Sequence, residues 1–246
     1  YIGATGSITE LNNEYKSKLQ ELGDEMKSKK LILFGEGLYT EIAHQYFTDD
    51  SEYDIVCFTK DDNYISSEVY LNLPMVKFSE IQDKYPPSDY DMHIAVSYTD
   101  MNKLRERIYH EAKEKGYKLP SYISSKCTNM TKHDIGDNCF IFEDNTIQPF
   151  VKIGDNVILW SGNHIGHHST IKSHNFISSH VVTSGQCTVE SNCFIGVNST
   201  IGHGVTIAKS TLIGAGAIIT KNTEKESVYV PARSIKLAKK STEFKL

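Results

Sequence analysis

An aliphatic residue recurs at every sixth position through the second half of the chain, and this spacing limits the possible folds more than any other feature. The series runs from Ile135 to Ile219 and is aliphatic at fourteen of its fifteen positions, with Thr183 as the exception. A period of six does not match the 3.6-residue repeat of an α-helix. It suits short strands separated by turns, so the segment is predicted to wind into a stack of parallel coils.

A second column of mostly small residues follows four positions after each aliphatic residue. Three hexads per coil would give a triangular prism with both columns inside, and each coil would lie about 4.8 Å above the last. Three of the five cysteines fall in this column, so we interpret them as packing residues rather than nucleophiles. The column comprises Cys139, Val151, Val157, Ser169, Val181, Cys187, Cys193, Ser199, Val205, Thr211 and Ala217, with Asn145, Asn163 and Asn175 as exceptions.

The first half of the chain alternates between predicted strands and helices, which indicates a small parallel sheet of the Rossmann-like α/β type. The predicted elements are strands at 30–37, 54–58 and 92–96, helices at 39–47 and 102–115, and a last strand with a connection into the coils at 116–123. We therefore divide the chain into a helical extension (1–29), an α/β domain (30–120), a coil domain (121–222) and a C-terminal tail (223–246).

Composition excludes several classes of protein. The formal net charge of −5 gives no overall basic field, so neither nucleic acid nor an anionic membrane is expected as a partner. The five cysteines form no CxxC pair, which argues against a disulfide framework and a zinc knuckle. The first thirty residues contain no apolar signal region and no stretch approaches membrane-spanning length, so a cytoplasmic location is expected.

Ligands of parallel sheets bind at the carboxyl ends of the strands, which makes the loops that follow the predicted strands candidates for a nucleotide site. The segment Gly35-Glu36-Gly37 lacks the third glycine of the GxGxxG fingerprint. A tight turn without a ligand is therefore an equally open interpretation of this loop. The candidate substrate-binding residues of these loops are Gly35, Glu36, Gly37, Asp61 and Ser97.

Five of the ten histidines lie within seventeen residues, from His164 to His180. In the hexad register His167 and His168 follow an aliphatic residue and a glycine, so both are predicted to lie at a corner of a coil and to project outward. Acyl transfer from a thioester requires a base that removes a proton from the acceptor, and neutral imidazole suits this task near pH 7. His167 is therefore the candidate catalytic base.

The two-domain layout resembles the hexapeptide-repeat sugar acyltransferases of the sialic acid and bacillosamine type, over residues 30–240. The resemblance implies a left-handed β-helix, although the spacing itself does not fix the handedness. In that group an Ile-x-His-Asp/Glu corner carries the catalytic histidine, and Ile165-Gly166-His167-His168 matches it except at the acidic position. Either His168 or another group is therefore expected to orient the imidazole.

The same resemblance implies acetyl-CoA as co-substrate, no metal, and a nucleotide-linked amino sugar as acceptor. It also implies a homotrimer with sites between neighbouring subunits, in which His167 faces an adjacent chain and His174 serves substrate or structure. A solvated terminal helix explains Lys236, Lys239 and Lys240 as well as a binding role does. The residues implied for the acetyl-CoA site are Gly214, Ala215, Gly216, Lys221, Pro231 and Arg233.

Three alternatives to acetylation of an amino group stay open. The nearest is O-acetylation of the sugar. A metal-dependent hydratase like the γ-type carbonic anhydrases would use the same coil with histidine ligands from two subunits, but it gives the α/β domain no task. A non-catalytic scaffold, whose histidines only line a trimer interface, is the third.

Overall fold

The computed structural model describes residues 29–236, 238 and 242. The predicted helical extension, apart from its last residue, and two of the tail lysines, Lys239 and Lys240, lie outside the described residues. Within the described part of the chain, no helix combines the length and apolar character that crossing a bilayer requires.

The α/β domain is built on a five-stranded sheet in the order β3-β4-β2-β1-β5. Only β3 runs antiparallel to its neighbour, so the sheet is mixed, whereas the sequence predicted a purely parallel one. The strands are β1 (Lys29–Phe34), β2 (Tyr53–Lys60), β3 (Val69–Tyr70), β4 (Leu73–Lys77) and β5 (Asp91–Ile94). The helices are α1 (Leu38–Asp49), α2 (Ile81–Lys84) and α3 (Lys103–Glu114), with a 3₁₀ turn at Asp62–Tyr64.

The prediction of a last sheet strand over 116–123 is wrong. Tyr117 and Leu119 are buried in the domain core, and the backbone N–H of Met92 donates to the carbonyl of Lys118 at 2.9 Å. This single backbone hydrogen bond tethers the connecting segment to β5, but it does not make a strand of that segment. Regular pairing begins only at β6 (Tyr122–Ile123), which pairs with a strand of the coil domain and not with the sheet.

The coil domain is a left-handed parallel β-helix, as the resemblance implied, and its strands are two residues long. Its strands lie on three faces. The docking face has seven strands, β6, β8 (Phe140–Ile141), β11 (Ile158–Leu159), β14 (Phe176–Ile177), β17 (Phe194–Ile195), β20 (Leu212–Ile213) and β22 (Val228–Tyr229). The second face has six, β7 (Thr128–Asn129), β9 (Thr146–Ile147), β12 (His164–Ile165), β15 (Val182–Thr183), β18 (Thr200–Ile201) and β21 (Ile218–Ile219). The third face has four, β10 (Lys152–Ile153), β13 (Thr170–Ile171), β16 (Thr188–Val189) and β19 (Thr206–Ile207).

Both predicted columns line the interior of the prism. The aliphatic residues from Ile141 to Ile213 are buried, and Thr183 is buried with them. Asparagine is tolerated in the small column because corner backbone groups satisfy its amide. Asn175, for example, donates to the carbonyl of Lys172 at 2.7 Å and accepts from the N–H of Cys193 at 2.7 Å. Burial raises the pKa of the Cys193 thiol to about 11, which fits a packing role.

One residue of each corner has a left-handed backbone conformation, repeated every six positions. Asn, Asp, His and Gly adopt this conformation at the lowest cost, which explains their abundance in the column. His168, His174 and His180 belong to it, with φ angles of +58°, +64° and +57°. Three of the five clustered histidines are therefore corner residues of equivalent backbone geometry. The full column is Asn138, Asp144, Phe150, Asn156, Gly162, His168, His174, His180, Gln186, Asn192, Asn198, Gly204, Ser210 and Gly216.

The α/β domain covers the docking face of the β-helix. The outward residues of this face are large and apolar, and Phe140, Ile158 and Phe176 join one buried cluster with Phe47 of α1. Tyr98, beyond β5, contacts Phe176 with a ring-centroid separation of 4.9 Å. The two domains therefore share an apolar core over the strands from β6 to β17 of the docking face, whereas Val228 of β22 is 65% exposed.

A buried arginine of α3 ties the domains together at the junction corner, which is the set of turns between the third face and the docking face. Arg105 is fully buried and donates to the Asn156 side chain at 3.1 Å and to the carbonyls of Asn156 and Asn175 at 3.3 and 3.1 Å. It also donates to the carbonyl of Ser97. All four acceptors are neutral oxygens. Arg105 therefore supplies hydrogen-bond donors to groups that the domain contact removes from water.

We expect the stability of the fold to depend on pH through His93. This residue is 1% exposed, its ring packs against Phe47 with centroids 5.0 Å apart, and burial lowers its pKa to about 4. The unfolded chain therefore binds a proton on this side chain between about pH 6.5 and 4 that the folded protein does not. The free energy of unfolding should fall by up to about 3 kcal/mol as the pH drops through this window.

Urea denaturation at several pH values, on wild-type protein and on His93→Gln, measures this contribution as the difference between the two pH profiles. A flatter profile for the variant is expected. Identical profiles would show that His93 titrates normally in the folded protein.

Candidate functional site

The exposed pair His167 and His168 lies at the histidine corner, which is the set of turns between the second and third faces at residues 148–151, 166–169, 184–187, 202–205 and 220–223. Within these turns His167, Gly185, His203 and Lys221 occupy the same position in four successive coils. The prediction that His167 and His168 point outward is confirmed, because both are exposed. With a rise of about 4.8 Å per coil, Lys221 lies about 14 Å along this row from His167.

The imidazole of His167 lies over the backbone of the next coil. The backbone N–H of His167 donates to the side-chain oxygen of Gln148 at 2.8 Å, and this bond fixes the start of the turn. A Cβ atom at Gly185 would lie 2.7 Å from Cε1 and Nε2 of His167, so the ring occupies the space that a side chain at 185 would take. The ring of His203 follows, with its centroid 6.4 Å from that of His167. Nε2 of His167 therefore faces the exposed row.

His168 contacts the other side of this imidazole. The Nδ1 atoms of His167 and His168 are 3.1 Å apart, and the two ring planes are nearly perpendicular at 87°. The ring of His168 lies against Phe150 of the preceding coil, with centroids 4.5 Å apart. His168 thus stands where the resemblance places an acidic residue, and it presents a ring nitrogen there.

Replacing Gly185 by alanine is expected to displace the His167 ring. The backbone of Gly185 does not require glycine, so the added Cβ acts only through its contact with the imidazole. Misplacement of a base by about 1 Å can cost up to about a hundredfold in rate. We expect kcat to fall by about tenfold or more while the melting temperature changes little. Unchanged turnover in Gly185→Ala would show that the ring position is unimportant.

The predicted substrate loops meet at the carboxyl edge of β1, β2 and β5. Gly35 is required by packing, because a Cβ there would lie 2.6 Å from Oγ1 of Thr40 and 2.7 Å from the carbonyl of Ala95. Gly37 differs from it. Its φ is +118°, and no atom lies within 4 Å of the space that a Cβ would fill. Gly37 therefore leaves open surface at the start of α1, where a ligand could approach the backbone.

The two acidic candidates at this edge are already paired. Glu36 forms an ion pair with Lys60, and Asp61 accepts from Nη2 of Arg107 at 2.6 Å. Sequence reasoning missed Tyr70, whose hydroxyl accepts from the N–H of Gly37 at 3.0 Å. The strand that carries Tyr70 is two residues long and has no alternating apolar pattern, so the sequence gave no signal for it.

Ser97 and His174 lie between the domains instead of at an open surface. The carbonyl of Ser97 is taken by Arg105, although its side chain is only partly buried. His174 lies at the junction corner beneath α3 and is 8% exposed, and burial lowers its pKa to about 4 even though the carboxylate of Glu106 acts in the opposite direction. A role for His174 in substrate binding stays a prediction.

Glu106, His110 and His174 bring three possible metal ligands within 4.8 Å of one another. The hydrogen bonds around His174 oppose metal binding, however. The side-chain oxygen of Asn156 accepts from Arg105, so its amide nitrogen faces Nδ1 of His174, 2.9 Å away, and donates to it. In the neutral imidazole the proton is then on Nε2, which points to Glu106 at 3.6 Å. This cluster is best described as a hydrogen-bonded domain junction.

The residues predicted for acetyl-CoA fall in two places. Lys221 lies in the row of His167, whereas the turn Gly214-Ala215-Gly216 joins the docking face to the second face. The N–H of Gly214 donates to the carbonyl of Tyr229 at 2.7 Å, so the backbone of Gly214 is covered by the last strand, β22. Gly216 has a φ of +72° and open space around it. The remaining candidates, Pro231 and Arg233, are exposed in the extended segment after β22.

A half-open cavity of about 510 Å³ between α1 and the first coils is not assigned to the candidate site. Its carboxylates are already bonded, since Asp50 accepts from the Tyr122 hydroxyl at 2.7 Å and Glu143 accepts from the Tyr46 hydroxyl at 2.7 Å. Its lining comes from α1, the residue after it and the first coils, and includes no residue of the histidine corner.

The family model "Bacterial transferase hexapeptide (six repeats)" matches residues 133–167 and 186–221, which include the turn that carries His167. The two matched stretches of the coil domain are therefore similar to the hexapeptide repeats of bacterial transferases. No curated protein matches the chain. The family model matches only these two stretches of the coil domain, so the α/β domain is compared through structure alone.

Several solved structures share the whole two-domain fold at low sequence identity. The acetyltransferase domain of PglB from Neisseria gonorrhoeae, in complex with acetyl coenzyme A, has a TM-score of 0.73 at 20% identity, over 82% of this chain and 96% of that one. PerB from Caulobacter crescentus, in complex with CoA and GDP-perosamine, has a TM-score of 0.72 at 17% identity, over 83% and 95%. WeeI from Acinetobacter baumannii has a TM-score of 0.65 at 16% identity, over 83% and 97%. These likenesses extend the shared fold beyond the hexapeptide domain to the α/β domain.

Proposed function

We propose that this protein transfers the acetyl group of acetyl-CoA to the amino group of a nucleotide-linked amino sugar, with His167 as the general base. The observation that carries the proposal is the position of His167. Its imidazole is exposed on the histidine corner, lies over Gly185, and is contacted at Nδ1 by His168, which leaves Nε2 facing the open row. A side chain held in this way suits proton transfer better than packing.

Two similar proteins support the choice of substrates. The PglB domain binds acetyl coenzyme A in its crystal structure, and PerB binds CoA together with GDP-perosamine, a nucleotide-linked amino sugar. In this chain the open surface at Gly37 supports a nucleotide site on the α/β domain, and Lys221 supplies a positive charge for CoA phosphates on the row of His167.

The proposed reaction balances without a metal. The amine nitrogen attacks the thioester carbonyl carbon while Nε2 of His167 takes one of its protons. The carbon–sulfur bond then breaks, and the proton on His167 passes to the departing sulfur. An amide and free CoA thiol are the products, and His167 returns to its neutral form.

The geometry favours a site that is completed by a second copy of the chain. The α/β domain covers the docking face, and the histidine corner is the edge of the prism opposite that face. An amino sugar held at Gly37 of one chain would have to cross the width of the β-helix to reach His167 of the same chain. We therefore propose a homotrimer in which the α/β domain of one subunit presents the sugar to the histidine corner of the next.

A screen of UDP-, GDP- and dTDP-linked 4-amino sugars with acetyl-CoA tests the proposed function. We expect thiol release that depends on both substrates, from protein whose mass in solution is three times that of the chain. Zinc analysis of the same preparation addresses the hydratase alternative. Tightly bound zinc without thiol release would favour the hydratase, and neither zinc nor thiol release would favour a scaffold.

A further inference from the structure

We propose that His168 is the positioning residue of the catalytic base, and that its Nδ1 accepts the Nδ1 proton of His167 in place of a carboxylate. This inference rests on the proposed function, since it concerns how His167 is held for proton transfer. The evidence for it comes from the contacts of this chain. The two Nδ1 atoms are 3.1 Å apart, which is within hydrogen-bond distance. The ring planes are nearly perpendicular, so the rings do not stack and their contact is through these nitrogens.

The contact between the two Nδ1 atoms couples the tautomers of the two rings. One nitrogen must carry the proton and the other must accept it. If Nδ1 of His167 donates, its Nε2 has a free lone pair directed over Gly185 and can act as a base. If Nδ1 of His168 donates instead, Nε2 of His167 carries a proton and cannot accept one. Only the first arrangement supports catalysis, so His168 must be the acceptor in the active protein.

The surroundings hold His168 for this task. Its ring lies against Phe150, with centroids 4.5 Å apart, and its backbone N–H donates to the carbonyl of Pro149 at 3.2 Å. Its left-handed φ of +58° turns the side chain back toward His167. A single ring nitrogen is therefore presented to Nδ1 of His167 in a defined direction, as a carboxylate bonded to that nitrogen would be.

No carboxylate reaches the pair within the described residues. The preceding coil supplies Gln148, Pro149 and Phe150, and the following coil supplies Gly185 and Gln186. A third titratable ring, that of His203, lies on the same row, with its centroid 6.4 Å from that of His167. The imidazolium that forms on His167 is therefore stabilised by a neutral acceptor, and not by an anion.

This difference predicts how substitutions at 168 change the pH dependence of kcat/KM. A carboxylate beside His167 favours its charged form, so His168→Asp should retain turnover but move the acidic limb upward by about one pH unit or more. His168→Asn keeps an acceptor without a charge, so it should retain turnover without that upward move. Both residues tolerate the left-handed backbone. His168→Gly removes the acceptor and should lower kcat by about tenfold to a hundredfold, with KM values changed less than about twofold.

His180→Gly is the matched control, because His180 is an exposed corner histidine with a φ of +57° on a different edge of the prism. It should leave kcat within about twofold. Nitrogen-15 NMR of the resting protein adds a readout that is independent of turnover. Nδ1 of His167 should be protonated and Nδ1 of His168 should be an unprotonated acceptor.

The outcomes separate this inference from the proposed function. Wild-type turnover that needs His167, with His168→Gly as active as His180→Gly, would overturn the role of His168 while leaving the function intact. A proton on Nδ1 of His168, or an unmoved acidic limb in His168→Asp, would also overturn it. Absence of acetyl transfer in the wild type, with the predicted tautomers present, would overturn the function but not the arrangement of the pair.

Discussion

Replacing His167 by alanine should lower kcat for acetyl transfer by about 10²- to 10⁴-fold, which is the contribution of a positioned general base. The side chain is exposed, and its removal leaves no buried polar group without a partner, so stability and oligomeric state should be unchanged. Steady-state kinetics with saturating acetyl-CoA, together with a thermal melt and a solution mass, measure these quantities on one preparation.

His203→Ala is a useful companion to this variant, because the two rings are neighbours on the same row. We expect its kcat to fall much less than that of His167→Ala, since the contact with His168 belongs to His167. Retained turnover in His167→Ala would move the base to another histidine of the cluster, with His168 and His174 as the first to test.

Replacing Arg105 by leucine should cause the largest loss of stability that we expect from a single substitution in this chain. The side chain is fully buried and donates to three backbone carbonyls and one side-chain oxygen at the junction of the domains. The carbonyls of Ser97 and Asn156 would lose their donor, whereas the Asn175 carbonyl keeps the N–H of Ile158 and the Asn156 side-chain oxygen keeps the amide of Asn138. Each buried acceptor left without a partner costs about 1–3 kcal/mol, and the cavity around the shorter side chain adds to this loss. We expect the free energy of unfolding to fall by about 3 kcal/mol or more, measured by urea denaturation.

Arg107→Leu is the matched control for this prediction, since it removes the same side chain from an exposed position two residues along α3. Arg107 is paired with Asp61 and Glu111 on the surface, and such pairs contribute less than about 1 kcal/mol. Equal losses in the two variants would show that the buried bonds of Arg105 contribute little. Arg105→Lys should be intermediate, because an ammonium cannot reach all four acceptors.

The sixfold period was sufficient to predict the β-helix, its two interior columns and the exposure of His167. These features depend on which positions of each hexad face the interior and which face solvent, and a regular repeat displays that pattern directly. Lys221, the residues at 214–216 and the tail were identified only through resemblance, and the structure then places Lys221 three coils beyond His167.

Other parts of the site depend on contacts that no local pattern encodes. Arg105 and His174 meet because α3 packs over the junction corner, and the intervening sequence gives no indication of that contact. The hairpin that carries Tyr70 has only two paired positions on each side, which is too short for a strand pattern to show in the sequence. The contact between His167 and His168 depends on the left-handed corner conformation, which the column of Asn, Asp, Gly and His residues could have indicated.

Mass spectrometry of the product formed with carbon-13-labelled acetyl-CoA tests the central claim most directly. The nucleotide-linked 4-amino sugars that release thiol would be incubated with wild-type protein and with His167→Ala, and fragmentation would locate the label. The proposed function predicts a labelled amide on the sugar nitrogen with wild-type protein and little or none with the variant. A labelled ester, an unlabelled sugar, or equal labelling by both proteins would contradict it.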